Sequence, residues 1–475
     1  MDITRRTVIG AGAALPVVAT LDPVASAAPT ASGPSAADWA DLDRTIRGSI
    51  ALPGSANYRS QAPLFDPRWD FRRPAAVART LLTQDVATCI EFARDHGLKV
   101  TGRSGGHSYT GASATTGGLV IDTRSMRGVS LTPGRTQATV AAGAQLYAVH
   151  TALAAEGRSI PTGTCPTVGT AGLSLVGGLG VDSRRVGLTS DRLVRAIVVD
   201  GRGRIRYVDA DRDPDLFWSL RGGGPGVGIV TSLTYRTVGA PRRGFFSLTF
   251  PSSKATAVVR AWGSWMKEQP GDTWANAHVD SAGGSLSVRL FGVCPAGKEK
   301  ARADSLRKAV GITPTRTSTT TRSYLDGVTY LGGGSTTDRT RIVAGSDVLS
   351  LVTTGAAGAV EEAMRSVPKG MSASAILDPL DGAVADVAKG DTAFPWREEA
   401  ASIQWYVGMS SSPTSDQYAA AQGWVAQAHD LVGSRSRGGY LGYVESGRPL
   451  REYLGTNTDR LVRVRRTYDP QSIVL

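Results

Sequence analysis

The stretch "GRSGGHSYTG", residues 102–111, places one of the chain's five histidines in a loop that holds four glycines. Glycine lets a backbone approach a ligand closely, and successive backbone N–H groups in a turn form a concave anion site. Arg103 and Ser104 add donors, so the loop suits a nucleotide pyrophosphate. No G-x-G-x-x-G opens a helix here and no Walker sequence is present, so the two common phosphate motifs do not account for the loop.

His107, the histidine of this loop, has several possible roles. A lone loop histidine is most often a hydrogen-bonded surface residue, and that interpretation stays open. A metal site is not predicted, because no second ligand lies nearby at useful spacing. A Ser-His-Asp triad is not predicted either, because the chain has no nucleophile elbow. The other four histidines are scattered along the sequence: His96, His150, His278 and His429.

The three cysteines occupy different sequence contexts. An odd count leaves at least one thiol without a disulfide partner. Cys89 lies in the amphipathic pattern "DVATCIEFARDHG" and is predicted to be a buried core thiol. Cys294 follows the strand-like "SLSVRLFGV" and is predicted to be structural. Cys165 differs from both, because "PTGTCPTVGTAG" is a loop without apolar periodicity.

Alternating helix and strand patterns surround these loops. From Pro74 to Val238 they predict an α+β domain, in which two strands meet at an Asp200–Gly201 turn. Asp213 is a plausible N-cap of the short helix "DPDLFWSL". Residues 245–430 carry longer strands and helices, which predict a second α+β domain with a largely antiparallel sheet.

The N-terminus and the overall charge bear on compartment and partners. Arg5 and Arg6 precede a modest apolar stretch and a small-residue cleavage site after Ala27, which predicts a twin-arginine export signal and a secreted protein. A disordered N-terminus with a chance arginine pair is the alternative. The apolar run is too short to span a membrane. The net charge of +12 contains no Lys/Arg-rich block, so neither nucleic-acid binding nor stable membrane association is predicted.

Five stretches, in order along the chain, resemble motifs of the berberine-bridge-enzyme-like flavin oxidases, which have the vanillyl-alcohol-oxidase-type fold. "GRSGGHSYTG" resembles that family's pyrophosphate loop, and "PTGTCPTVGTAGLSLVGGLGVDSRRVGLTSDRL" its second flavin segment. "DLFWSLRGGGPGVGIVTSLTY" resembles the third segment, although Pro225, Gly226 and Val227 replace the family's usual Gly-Asn-Phe. "TAFPWR" and "YLGTNTDRLVRVRRTYDP" resemble its C-terminal signatures. The resemblance covers about residues 60–475 and suggests a secreted bacterial member.

The resemblance implies one FAD with two covalent bonds. In that family the histidine of the glycine loop is bonded to the flavin 8α-methyl group and the cysteine of the second segment to flavin C6; these residues are His107 and Cys165 here. The further implied cofactor contacts are Arg103, Ser104, Gly105, Gly106, Ser108, Thr164, Val168, Gly169, Gly172, Gly177, Gly178 and Ile229. The implied organisation is a signal peptide over 1–27, a linker or N-terminal arm over 28–58, an FAD-binding domain over 59–240, a substrate domain over 241–430 and a C-terminal segment over 431–475 that returns to the FAD domain.

The resemblance also implies catalytic residues. "GGYLGY" resembles the family segment that carries the active-site tyrosine, which maps to Tyr443 with Tyr440 beside it. Because these two are three residues apart, a bend or bulge must bring both to one pocket. Gln404 matches a substrate-facing position and Tyr109 should border the same pocket, whereas Trp405 should face the core. A tyrosine acts as a base when a nearby cation or phenol lowers its pKa. That both tyrosines are only core or surface aromatics is the alternative.

The implied reaction is hydride transfer from a substrate alcohol carbon to flavin N5. In the family a valine three residues past the cysteine goes with oxidases, and Val168 holds that position. We therefore expect O2 to be reduced to H2O2, with a sugar or a glycosylated or polyketide metabolite as the small-molecule substrate. Two alternatives stay open: oxidative cyclisation or C–N oxidation of a specialised metabolite, and a flavin-bearing binding protein without turnover.

Overall fold

Eighteen strands form four sheets in the part of the chain that the computed structural model describes, residues 33–332 and 339–475. The signal peptide predicted over 1–27 lies outside these residues. The strands are β1 (Ser49–Ala51), β2 (Ala76–Arg79), β3 (Val100–Arg103), β4 (Leu119–Asp122), β5 (Val129–Leu131), β6 (Gln137–Ala141), β7 (Arg158–Ser159), β8 (Leu193–Asp200), β9 (Ile205–Asp209), β10 (Gly228–Arg236), β11 (Val238–Gly239), β12 (Arg243–Phe250), β13 (Trp274–Ala282), β14 (Ser285–Pro295), β15 (Arg316–Arg322), β16 (Ile342–Leu349), β17 (Ser372–Pro379) and β18 (Ala401–Gly408).

Fourteen α-helices connect and cover these strands within the same described ranges. Amphipathic patterns predicted the longer ones, since their apolar residues recur at helical spacing. The helices are α1 (Ala36–Thr45), α2 (Ala56–Gln61), α3 (Thr83–Asp95), α4 (Leu146–Ala154), α5 (Thr170–Leu175), α6 (Ser183–Val186), α7 (Pro214–Ser219), α8 (Ala255–Lys267), α9 (Glu299–Val310), α10 (Tyr324–Leu331), α11 (Thr354–Arg365), α12 (Ser415–Val432), α13 (Arg451–Leu454) and α14 (Thr458–Tyr468). None of these helices is long and apolar enough to cross a membrane.

Two sheets build the N-terminal half. The first has the order β1-β2-β4-β3, in which β2, β4 and β3 run parallel, and the second is the antiparallel β5-β6-β10-β8-β9. Helix α3 buries Ile90 and Cys89 in a cluster that contains residues of both sheets, including Ile121 and Val199. Cys89 has no exposed surface, which confirms the predicted core thiol. The chain's last residues close this half, because Val100 N donates to Ile473 O at 2.7 Å.

One antiparallel sheet of seven strands, β15-β12-β14-β13-β17-β18-β16, builds the second half. Helices α8, α9, α11 and α12 contribute to the large apolar cluster on one of its faces. Successive side chains on a strand point to opposite faces. On β18, Ile403 and Trp405 belong to that cluster, so Gln404 and Tyr406 face the other side. The α+β class, the antiparallel second sheet and the core position of Trp405 are confirmed.

Two local predictions about turns and caps had different outcomes. The Asp200–Gly201 turn is confirmed, because β8 and β9 pair around it and Asp200 Oδ1 accepts from Arg202 N at 2.9 Å. Asp213 occupies the N-cap position of α7 as predicted, but its side chain makes no capping hydrogen bond to the helix. The Asp213 carboxylate instead accepts from Tyr468 Oη at 2.9 Å. The Asp213 carboxylate thus bonds to a side chain distant in sequence, Tyr468, and not to a backbone N–H of α7.

Candidate active site

The histidine loop and the cysteine segment meet through their main chains. A Cβ atom on Gly105 would lie 2.3 Å from Gly169 N, and a Cβ atom on Gly169 would lie 2.2 Å from Gly105 N. Neither position accommodates a side chain without moving backbone. His107 Nε2 and Thr167 Oγ1, 2.9 Å apart, add a side-chain hydrogen bond between the loops. His107 and Cys165 therefore lie on one structural unit although they are far apart in sequence.

The His107 ring is neutral and has one nitrogen free. It stacks on Phe65 with ring centroids 3.8 Å apart, and burial lowers its pKa to about 4. In the tautomer that donates from Nε2 to Thr167, Nδ1 keeps its lone pair. Nδ1 has no hydrogen-bond partner among the residues that the structure describes. An unprotonated nitrogen with a free lone pair can bond to an electrophilic carbon.

Cys165 is the one exposed cysteine of the three, since Cys89 and Cys294 are buried. Its thiol is in no disulfide, and the protein around it raises its pKa through desolvation. The phenols of Tyr109 and Tyr443 are near enough for a Cys165 thiolate to raise their pKa values. Cys165 therefore lies in a cleft lined by phenols and reachable from outside. Cys294 is buried near Gly244 O, as predicted for a structural thiol.

The four residues predicted to be catalytic lie together beside this thiol. Tyr109 stacks on Tyr443 with centroids 6.0 Å apart, and Tyr443 meets Tyr440 edge-on at 5.0 Å. Gln404 Nε2 donates to Tyr109 Oη at 2.7 Å. The bend expected between the two C-terminal tyrosines is a 3-10 turn, in which Tyr443 N donates to Tyr440 O at 2.8 Å.

Asp378 is a site residue that the sequence analysis missed. It lies on β17, where Ala375 and Leu377 face the helices, so its side chain shares the face of Gln404. Asn276 Nδ2 donates to its carboxylate at 3.3 Å. Burial raises the pKa of Asp378 to about 6, so the carboxylate is ionised at neutral pH. The alternation in "SASAILDP" could have placed it, because Ala, Ala and Leu occupy every second position.

The pKa of Tyr443 corrects one expectation. A base of this kind was expected to have a lowered pKa, but burial and then the charge of Asp378 raise the pKa of Tyr443 well above 10. No cation is among the groups that shift it. The phenol stays protonated at neutral pH. Proton removal from a ligand at Tyr443 therefore requires a second acceptor, and Asp378 is the carboxylate whose charge acts on this phenol.

Comparisons with known proteins fit this geometry. Residues 74–209 match the FAD binding domain family. The uncharacterised FAD-linked oxidoreductase YgaK of Bacillus subtilis is 30% identical over 414 residues, which cover 85% of this chain and 90% of that protein. The chain belongs to the FAD-linked oxidoreductases. The resemblance to their berberine-bridge-enzyme-like group is confirmed, and the protein is an enzyme.

Two solved structures extend the comparison to nearly the whole fold. BBE-like 1 of Physcomitrella patens is 23% identical and superposes with a TM-score of 0.83, covering 92% of this chain and 97% of that one. The glucooligosaccharide oxidase of Acremonium strictum is 25% identical with a TM-score of 0.82 over the same shares, 92% and 97%. Its flavin is described as 6-S-cysteinyl, 8α-N1-histidyl FAD.

The residues of this FAD-linked oxidoreductase fit the cofactor, with one correction at Arg103. Its guanidinium is buried and donates to three backbone carbonyls, those of Ser113 at 3.2 Å, Ala62 at 3.2 Å and Gln61. Arg103 therefore donates three of its five N–H groups to the main chain around α2, and at 1% exposure its guanidinium does not face an open ligand site. Ser104 Oγ likewise donates to Ala142 O at 2.5 Å. The side-chain donors expected for a pyrophosphate are used within the protein, which leaves backbone N–H groups for that role.

The other implied FAD contacts are distributed over the two loops and the core beside them. Gly172 on α5 has open space where a Cβ atom would be, as a cradle for a ligand requires. Ile229 is 5% exposed and packs against Gly102 in the core. Gly177 has a φ of 106° and faces Phe394, so protein rather than open space lies next to it. The remaining positions lie within the two loops: Gly106, Ser108, Thr164, Val168 and Gly178.

Tyr440 anchors the turn and is not free to act as a base. Its Oη accepts from Gly178 N at 3.1 Å and from Leu179 N at 3.3 Å. Those two donors occupy the oxygen lone pairs that would take a proton, and burial raises its pKa to about 12. The prediction of Tyr440 as a catalytic residue is therefore corrected. Its phenol ties the Tyr443 turn to the second flavin segment.

Proposed function

We propose that this enzyme is an oxidase that takes hydride from an alcohol carbon of a hydroxyl-rich substrate, a carbohydrate or a glycosylated or polyketide metabolite, and reduces O2 to H2O2. One observation carries the proposal: the half-buried Tyr443 phenol lies at the cleft, within electrostatic reach of both the Asp378 carboxylate and the accessible Cys165 thiol. That juxtaposition puts a proton acceptor beside the position at which the flavin ring would be held.

The cofactor assignment rests on His107 and Cys165. We infer that His107 Nδ1 would hold the flavin 8α carbon and Cys165 Sγ its C6 atom. The free Nδ1 lone pair, the unpaired exposed thiol and the shared loop unit support this, as does the linkage named for the glucooligosaccharide oxidase. When bound, FAD supplies the acceptor for the substrate's hydride.

The proton of the substrate hydroxyl is accepted by two protein groups in turn, Tyr443 and Asp378. As the hydride leaves the substrate carbon, the hydroxyl proton passes to Tyr443 Oη, and the phenolic proton of Tyr443 passes to the Asp378 carboxylate. The substrate loses two electrons and becomes a carbonyl, while Asp378 ends protonated. Asp378 suits this task because its pKa of about 6 leaves it ionised at neutral pH and still basic enough to retain a proton briefly.

Unsatisfied polar atoms on the sheet indicate the substrate class. Asn276 Oδ1, Ser402 Oγ and Trp274 Nε1 are buried and lack a hydrogen-bond partner among the described residues. Asn276 and Ser402 lie on the strands that flank Asp378. An orphaned buried polar atom costs free energy unless a ligand or water satisfies it. Hydroxyl groups donate and accept, so a polyhydroxylated substrate suits this mixed set.

Oxygen use and export complete the proposal. Val168 is half-buried and its N donates to Cys165 O at 3.2 Å, so it lies in the same turn as the proposed flavin anchor. A valine there leaves more room for O2 than a leucine. The Arg5–Arg6 pair and the small residues before Ala28 support twin-arginine export, and N-terminal sequencing of protein recovered from the medium would test it.

The decisive experiment is anaerobic flavin bleaching across a panel of sugars, alditols, secondary alcohols and amines. Bleaching by sugars or alditols, followed by stoichiometric H2O2 on admission of air, is the expected result. Bleaching only by amines or by a biosynthetic intermediate would replace alcohol oxidation with C–N oxidation or cyclisation. Tyr235→Phe is the control for variants of Tyr443, because it removes the hydroxyl of a buried tyrosine that bonds to Ser174 in another core.

A further inference from the structure

A histidine between two carboxylates lies behind the Tyr443 turn. His429 on α12 makes one contact from Nδ1 to Asp347 Oδ2 on β16, at 2.7 Å. It makes another from Nε2 to Glu445 Oε2 at 2.8 Å, two residues past Tyr443. Both nitrogens face carboxylate oxygens, so both must donate, which only an imidazolium does. The three side chains are 22%, 1% and 14% exposed, respectively for His429, Asp347 and Glu445, so water screens the contacts little.

The two carboxylates are themselves fixed by further donors. Asp347 accepts from Trp405 Nε1 at 2.7 Å and from Ser436 Oγ at 2.6 Å. Glu445 Oε1 accepts from Ser346 N at 3.1 Å and from Arg448 Nη1 at 3.1 Å. The His429 bridge therefore joins Asp347, on strand β16, to Glu445, in the loop that follows the Tyr443 turn.

The turn that carries Tyr443 is held from both ends. Before it, Tyr440 N donates to Ser346 Oγ at 2.9 Å. After it, Glu445 bonds to Ser346 N and to His429. Loss of the His429 bridge would remove one of the contacts that hold Glu445 and leave those to Ser346 N, Arg448 and Tyr453, so the end next to Tyr443 would be held less firmly. The Tyr440 end would stay attached to the sheet and to Gly178.

We propose that His429 is a positioning residue for the reaction: its imidazolium holds Glu445 against Asp347 and so keeps the Tyr443 phenol aligned with Asp378 and the cleft. The inference rests on the proposed role of Tyr443 as the group that receives the substrate proton. His429 itself touches neither the cleft-facing phenols nor the proposed anchors. Its effect is geometric, and misplacement of a reacting group by about 1 Å can cost roughly 10²-fold in rate.

The pKa of His429 sets the pH at which the hydrogen bonds of this bridge are lost. Burial lowers the pKa of His429, but the hydrogen bonds and charges of Asp347 and Glu445 outweigh burial and raise it to about 9. Arg448 is the other charged group at the cluster, with Glu452 beyond it. Above about pH 9 a neutral imidazole would turn one lone pair toward a carboxylate, and the bridge would break.

The test compares His429→Gln, His429→Arg and the control Glu361→Gln. Glutamine removes the charge at every pH, and arginine keeps it at every pH. Glu361 is a half-buried carboxylate in the same helical layer, where it accepts from Thr256 N at 2.9 Å and pairs with Arg365, away from Tyr443. The readouts are flavin content and the pH profile of anaerobic flavin reduction by the panel alcohol that bleaches wild type fastest.

The inference predicts a distinct profile for each protein. Wild type loses rate as pH rises through about 9. His429→Gln keeps its flavin, reduces it about 10-fold to 100-fold more slowly at pH 7, and shows no loss near pH 9. His429→Arg keeps most of the rate and retains it above pH 9. Glu361→Gln keeps the wild-type profile, whatever its melting temperature.

Two results would overturn the inference. One is a wild-type alkaline limb that persists in both His429 variants; the other is a His429→Gln rate equal to that of wild type. If His429→Gln does not fold, Glu445→Gln serves instead, because it removes one of the two negative charges that face the imidazolium. The pKa of His429 should then fall, and the alkaline loss of rate should move to lower pH. An alkaline loss of rate at the wild-type pH would count against the bridge. Normal flavin reduction in Tyr443→Phe would refute the proposed role of Tyr443, and a flavin that no alcohol of the panel bleaches would refute the proposed function; both are separate outcomes.

Discussion

The flavin-side loops and the substrate-side sheet face are built in opposite ways. The loops meet through main-chain atoms at Gly105 and Gly169, and each is a continuous run of sequence. The sheet face is assembled from every second residue of β13, β17 and β18, so its chemistry depends on single side chains such as Asp378. The fold can therefore keep one cofactor site while its substrate changes by substitution on three strands.

The two regions also differ in how completely their polar groups are satisfied. In the loops, Ser104 bonds to Ala142 O and Thr167 to His107. On the sheet face, Asn276 Oδ1 and Ser402 Oγ lack partners among the described residues. The hydroxyl groups of Ser104 and Thr167 thus have partners within the protein, whereas the sheet face has side-chain atoms that a substrate could satisfy. Each prediction below tests one side of this contrast.

The largest effect is expected from Tyr443→Phe. Removal of the phenol oxygen takes away the group that receives the substrate proton, so flavin reduction should slow by about 10²–10⁴-fold. The flavin should stay attached, because the variant leaves both anchoring loops unchanged. Stopped-flow reduction and absorbance of the denatured protein measure the two properties. Near-normal reduction would mean that another group of the sheet face receives the substrate proton.

Asp378→Asn should give the next largest effect, with a characteristic pH dependence. Because burial raises the pKa of Asp378 to about 6, the wild-type carboxylate gains its charge, and the enzyme its rate, as pH rises through about 6. The amide cannot take a proton, so the rate should fall about 10²-fold and that acid limb should vanish. If the variant still loses rate below about pH 6, the group responsible for that loss is not Asp378.

Substitution of the anchors tests the loop side. His107→Ala alone should leave FAD attached through Cys165, and Cys165→Ala alone should leave it attached through His107. Each should slow substrate oxidation by about tenfold, the effect of roughly 1.4 kcal/mol on the barrier. The double variant should release FAD on denaturation. A wild-type protein that loses all its flavin in acid would show that the loops hold FAD without covalent bonds.

The smallest effect is expected from Val168→Leu. The larger side chain should narrow the space beside Cys165 and slow reoxidation of the reduced flavin several-fold, while reduction by substrate continues at the wild-type rate. Mixing anaerobically reduced enzyme with oxygenated buffer measures the step directly. Equal reoxidation rates would place oxygen access elsewhere and separate it from the cysteine segment.

The sequence predicted the loop side more fully than the sheet side, for a physical reason. Gly105, His107 and Cys165 belong to contiguous motifs, so their neighbours in space are largely their neighbours in sequence. Gln404 and Tyr109 bond across 295 positions, and only the resemblance brought them together. Asp378 and the His429 bridge were missed because their chemistry depends on strand register and burial. The error over the Tyr443 pKa has the same origin, since its sign depends on whether a cation or a carboxylate lies beside the phenol.

The contact between Gly105 and Gly169 has a consequence for how the enzyme matures. Since main-chain contact and the His107–Thr167 hydrogen bond hold the two loops together, His107 and Cys165 lie on one unit of the protein before any cofactor enters. The empty protein is then a template on which FAD is loaded, and neither bond depends on the other to bring its partner into range. Purified flavin-free protein mixed with FAD should therefore complete its own attachment, without an assembly factor.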